Sequence, residues 1–104
     1  MKVFLKSSRN NLDASGEYCP ENGSLVVFKG SILSETVSES KTFRGRKTIL
    51  KSRESIVVDC VLQEDAQFKS PSTAANFVTG TSSNGNRLWK TEDGTPIGKL
   101  REEM

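Results

Sequence analysis

The apolar positions of this chain come in short blocks, and the spacing between blocks changes part-way along. Residues 2–5, Lys-Val-Phe-Leu, read as a short strand ended by a polar stretch through Asn10 and Asn11. Residues 13–24 hold Gly, Asn, Ser, Glu and Pro20 and read as a loop, within which Ala14 to Tyr18 can pair with a neighbour. Leu25-Val26-Val27-Phe28 is a continuous apolar run rich in β-branched residues, hence a strand. Gly30 interrupts it, and Ile32-Leu33 carry it onward past a bulge at that glycine. Residues 34–41 are polar and are expected to be mobile.

From Thr42 the period becomes seven. The pairs Thr42-Phe43, Ile49-Leu50 and Ile56-Val57 suit one face of a helix of about three turns that ends near Arg53. Gly45 weakens its first turn, which moves the expected start to Arg46. Ile56 to Leu62 reads as a strand and Gln63 to Phe68 as an acidic turn. The strongest local signal follows. Ser70 suits an N-cap, Pro71 the first helical position and Gly80 the residue after the last turn, so a helix is predicted over Pro71 to Thr79. Asn84-Gly85 predicts a tight turn, Arg87 to Lys90 a short strand around Trp89, and Glu92 to Thr95 another turn. The order β-β-α-β-α-β with short connections implies an α+β fold: a small, mostly antiparallel sheet with two short helices.

Composition narrows the chemistry. Leu, Ile, Val and Phe number 25 of the 104 residues, above the level of roughly 20% below which chains stay disordered. One domain is expected. No run approaches the roughly 20 apolar residues of a membrane span, and the charged start is too short for a signal peptide, which points to the cytoplasm. The absence of histidine excludes Ser-His-Asp and Cys-His catalysis and His-ligated zinc. Cys19 and Cys60 form no C-x-x-C pair and read as reduced thiols, with a disulfide between them as the alternative. No cofactor site is expected.

Several separated motifs occur in a recognisable order. Ser70-Pro71-Ser72-Thr73-Ala74-Ala75, Gly80, Ser83-Asn84-Gly85, Trp89-Lys90 and Asp93-Gly94 together resemble the bacterial domain of unknown function 4357 family. That family's pattern is S-P-S-x-A-A, a glycine, N-G-W, a second Trp and D-G. Arg46-Lys47 with Ile49-Leu50 resembles the Arg-bearing helix that precedes this block, and Gly30-Ser31 a stretch further upstream. The resemblance is clear over residues 46–94 and looser over 14–31. Asn86 departs from it, because the family usually has Trp there. The resemblance implies context rather than an activity: similar domains stand alone or follow GIY-YIG-type nucleases, and the signature is similar to one attached to restriction enzymes and adenine methylases. DNA is the implied partner.

Charge gives that implication a local candidate. Lys41, Arg44, Arg46, Lys47, Lys51 and Arg53 place six cations in thirteen residues with no carboxylate between them, whereas residues 54–68 carry four carboxylates and no Lys or Arg. Such a patch suits phosphate backbones; equally, it can be a solvated helix face. Arg46 falls on the apolar side with Phe43, Ile49 and Leu50, where its guanidinium needs a carboxylate or backbone carbonyl, or clamps a ligand at a rim. Ser70, Ser72 and Thr73 either cap their helix or cradle a phosphate there. Asn84 and Gly85 form a turn or a binding edge, and Trp89 is half-buried core or a stacking platform between Arg87 and Lys90. The leading expectation is a non-enzymatic module that contacts DNA or RNA phosphates through the basic helix. The alternative is a protein-interaction domain, with no membrane involved in either; an enzyme comes third, for want of a nucleophile–base pair.

Overall fold

The computed structural model describes residues 1–7, 11–35, 37, 46–81 and 83–99, and at Arg46 the backbone alone. Strand β1 (Lys2–Ser7) forms a hairpin with β2 (Leu12–Tyr18), in register from Lys2 opposite Glu17 to Ser7 opposite Leu12. The first half of the segment read as a loop is therefore strand, and it includes Ala14 to Tyr18, the stretch expected to be able to pair. Its alternation survives in unpromising residues: Leu12, Ala14, Gly16 and Tyr18 are buried, while Asp13 and Glu17 are exposed. Gly16 is required, because a Cβ there would lie 2.3 Å from the Val26 carbonyl oxygen of β3 (Leu25–Val27). Past β3 the chain swings through Gly30, whose φ of +91° favours glycine. Between the pairs Gly16–Val27 and Asp13–Ile32, β2 advances three residues and its partner five. Those two extra residues are the bulge expected at Gly30.

Helix α1 (Arg46–Ile56) runs one turn beyond its expected end. The predicted strand 56–62 is instead the end of α1 followed by the hairpin β4 (Val57–Val58) and β5 (Val61–Leu62). Asp59 and Cys60 turn it, both with positive φ (50° and 68°), as the mirror-image hairpin turns require. The predicted acidic turn contains a further strand, β6 (Ala66–Phe68), which pairs with β3. The main sheet has the order β1-β2-β3-β6 with every pairing antiparallel, so the α+β expectation holds.

Helix α2 (Pro71–Thr79) has the predicted bounds. Gly80 follows at φ 74°, and its N–H donates to the Asn76 carbonyl. Ala74 and Ala75 are fully buried and let α2 lie close across β2, β3 and β6. Where a tight turn and a strand were expected, the chain forms the single-turn helix α3 (Gly85–Leu88), and Lys90 then makes isolated bridges to Phe4 and Pro96. One apolar cluster, including Val3, Leu5, Tyr18, Leu25, Leu62, Phe77, Trp89 and Ile97, fills the space between sheet and helices. Of residues 34–41, expected to be mobile, Ser34, Glu35 and Val37 are described, and Val37 is buried with Ile49 in a smaller cluster. No helix among the described residues is long and apolar enough to cross a membrane.

Candidate nucleic-acid interface

Helix α1 turns Ile49, Arg53 and Ile56 inward, at i, i+4 and i+7, and leaves Lys47, Thr48, Leu50, Lys51, Glu54 and Ser55 exposed. Of the predicted phosphate contacts, Lys47 and Lys51 thus stand on the free face one turn apart, with no carboxylate in the first turn. Lys41 and Arg44 lie outside the described residues, as does the side chain of Arg46. Leu50, expected in the apolar stripe, is 43% exposed. The stripe is narrow, and Arg53 occupies part of it.

Arg53 belongs to the basic run by sequence but not by position. Its Nη1 donates to the Ser34 carbonyl at 2.9 Å and its Nη2 to Ser34 Oγ at 3.0 Å. Nε and Nη2 donate to the Phe77 carbonyl at 3.1 and 2.5 Å, and Nη2 reaches the Val78 carbonyl at 3.2 Å. Phe77 and Val78 close α2, where carbonyls lack intrahelical donors and the helix dipole is negative. A planar fork with five donors meets that need in a way an ammonium cannot. The guanidinium also lies 5.7 Å from the Phe77 ring centroid. Burial lowers its pKa below the ordinary arginine value, and the charge available at Cys60 opposes that. Arg53 is a cap supplied from another helix, and it offers nothing to a phosphate.

Of the serines and the Asn-Gly pair, Ser72 and Gly85 are partners, while Ser70 and Asn84 each cap their own helix. Ser70 Oγ accepts from the Thr73 N–H at 3.2 Å and shares a hydrogen bond with Thr73 Oγ1 at 2.9 Å, which is the capping alternative rather than the phosphate cradle. Ser72 Oγ accepts from the Gly85 N–H at 3.2 Å. Gly85 itself touches the start of α2: a Cβ there would lie 2.2 Å from the Pro71 carbonyl carbon and oxygen. Asn84 is not in a tight turn but caps α3, its Oδ1 accepting from the Asn86 N–H at 3.1 Å. Trp89 is 0% exposed, and its Nε1 donates to the Pro71 carbonyl at 3.0 Å. The stacking-platform reading of Trp89 is thereby overturned: the indole lies beneath the junction of α2 and α3.

A separate surface feature escaped the sequence reading. An open groove of about 1300 Å³ runs along one end of the molecule, its walls including Phe4, Lys6, Ile32, Glu35, Leu88 and Lys90. Thr79, Thr81 and Ser83 line it as well, and none of the predicted site residues whose side chains are described does. Ile32 and Leu88 are 40% and 37% exposed. The available signal was the alternation Lys2-x-Phe4-x-Lys6, which puts an aromatic and two cations on one face of a strand. Among the described residues no group of acidic, cysteine or histidine side chains can hold a metal.

The family model described as Domain of unknown function (DUF4357) matches residues 4–101. The chain belongs to that family. The match extends on both sides of the 46–94 block that carries the motifs, so β1 and β2 are part of the DUF4357 unit. Comparison with curated proteins and with solved structures gives no match. Within this DUF4357 domain, Asn86 holds the position where the motif pattern has Trp. Its Oδ1 is buried and has no hydrogen-bond partner among the described residues, and a Cβ at Gly98 would lie 3.0 Å from the Asn86 Cβ.

Proposed function

We propose that this DUF4357 domain is a non-enzymatic module that contacts nucleic-acid phosphates through α1. The observation that carries the reading is the pair Lys47 and Lys51, exposed one turn apart on a helix whose first turn has no carboxylate. Phosphates select such a pair because each contact releases condensed counterions. Lys41 and Arg44 precede it in the sequence and add two positive charges nearby along the chain. Cys19 and Cys60 carry free thiols, which agrees with work in a reducing compartment, the cytoplasm being the plainest. Titrating the ¹⁵N-labelled domain with a short DNA duplex at low salt tests the proposal. The Lys47–Lys51 amides are expected to shift; their silence at about 100 μM DNA, near the weak end of non-specific affinity, overturns it.

A protein-interaction role is the second reading. It is favoured by the exposed Ile32 and Leu88 on the groove wall, where a partner would cover apolar surface.

A further inference from the structure

We propose a second binding surface, on the sheet face turned away from α2, that takes the unpaired bases of single-stranded nucleic acid. β1 alternates strictly, with Val3 and Leu5 in the core and Lys2, Phe4 and Lys6 on the other face. Phe4 stands opposite Ser15 on one side and Lys90 on the other. The Lys2 and Lys6 ammonium groups lie 5.7 and 5.3 Å from the Phe4 ring centroid, and Lys90 is exposed. A half-buried aromatic ring therefore sits among three lysines, beside a small residue that leaves room over it.

Two carboxylates share the face: Asp13 opposite Lys6 and Glu17 opposite Lys2. Glu17 already accepts the N-terminal ammonium at 2.9 Å. Among the described residues of these paired strands, four cations thus face two carboxylates, and three of the cations are the lysines around the ring. That combination matches a strand whose bases are free to stack and whose phosphates lie on both sides of each base. A duplex hides its base faces within its own stack, so the ring offers nothing to it. Phosphates would draw the two ammonium groups off the ring and leave it open to a base. The groove reaches Phe4, Lys6 and Lys90, and its walls also hold Glu35, Asp59 and Glu92, so the phosphates are expected to keep to the lysine side. None of these side chains belongs to α1, so the two surfaces stand or fall separately.

Fluorescence anisotropy with labelled oligo-dT, oligo-U, an abasic strand of equal length and a duplex, at about 50 mM salt, tests this. The natural chain is expected to bind both base-bearing strands at least about fivefold more tightly than the abasic strand, the lower end of what one stacked base contributes. Phe4→Leu keeps an apolar side chain but no π face, and is expected to remove that preference while the near-ultraviolet signal of the buried Trp89 persists. Changing Lys2, Lys6 and Lys90 together to Gln is expected to flatten the single-strand salt slope by about 2, at ~0.7 per contact. The pair Lys47→Gln and Lys51→Gln is expected to weaken base-bearing and abasic strands alike, leaving the ratio between them unchanged. Equal affinity for abasic and base-bearing strands, or natural affinity in a folded Phe4→Leu variant, overturns the proposal. Loss of the preference for base-bearing strands in the Lys47, Lys51 variant also overturns it and assigns that preference to α1.

Discussion

The indole N–H of Trp89 donates to the Pro71 carbonyl at 3.0 Å across eighteen positions of chain. This contact joins the two motif blocks that the sequence shows as separate, since Pro71 opens α2 and Trp89 closes α3. Gly85 lies between them in space as well as in sequence, pressed against the same Pro71 carbonyl. Replacing Trp89 with Ala is expected to destabilise the domain by about 3–5 kcal/mol, through the cavity and the lost hydrogen bond. A urea titration showing a loss below about 1 kcal/mol would contradict the burial described above.

Gly85→Ala tests the close approach itself. An added methyl cannot fit at 2.2 Å from backbone atoms, so α3 must move off α2. The expected cost is at least about 2 kcal/mol, with a change in the near-ultraviolet signal of Trp89, which packs beneath that junction. Gly94, with open space at its Cβ, makes a useful control: its cost comes only from its φ of +90°.

Arg53 acts as the C-terminal cap of α2, and its substitutions should show it. Arg53→Met retains an apolar stem but leaves the carbonyls of Ser34, Phe77 and Val78 without their guanidinium donors. Charge-assisted bonds of this kind suggest a loss of about 2–3 kcal/mol in urea unfolding, and Arg53→Lys should restore little, because an ammonium cannot span both carbonyl groups. Full stability of Arg53→Met would show that these contacts contribute nothing.

Asn86 offers the opposite test. Removing an orphaned polar atom by a substitution of similar size is expected to be neutral or stabilising, so Asn86→Leu should raise the melting temperature or leave it unchanged. A fall of more than about 5 °C, near 1 kcal/mol for a domain of this length, would mean that Oδ1 has a partner when the protein is in water.

What was legible in the sequence was local. Ser70, Pro71 and Gly80 announce α2 because capping and backbone geometry are decided within one turn of chain. The hairpin turn at Asp59-Cys60 was hidden because Asp59 tolerates positive φ but Cys60 is not a usual source of it, so residues 56–62 look like one strand. β6 was hidden because three residues acquire strand character only by pairing with β3, about forty positions earlier. Asn84-Gly85 carries a true turn signal, yet Gly85 is there for lack of a Cβ against Pro71. The arginine argument came closest. Position 46 was placed on the apolar side with a carbonyl as a fitting partner; position 53, two turns on and about 20° away at ~100° per residue, is where that chemistry is observed. Heptad spacing makes the two positions equivalent on the helix, and only the neighbouring α2 terminus distinguishes them.

That distinction sets the expected electrostatics of the basic helix. With Arg53 committed to α2, the described part of α1 offers two phosphate contacts, Lys47 and Lys51. Changing both to Ala should flatten the log–log salt dependence of duplex binding by about 1.8, at ~0.9 per contact. Their exposure means that stability should change by no more than about 0.5 kcal/mol. Arg44→Ala, added to the pair, should flatten the slope by about 0.9 more if that residue also reaches the backbone. The measurement is anisotropy of a labelled duplex between about 25 and 200 mM salt, a range over which screening changes strongly. A slope that survives the double substitution would place duplex binding elsewhere on the molecule. In that event the groove face with Lys6 and Lys90 is the next surface to alter, because it carries two exposed lysines beside a wide opening.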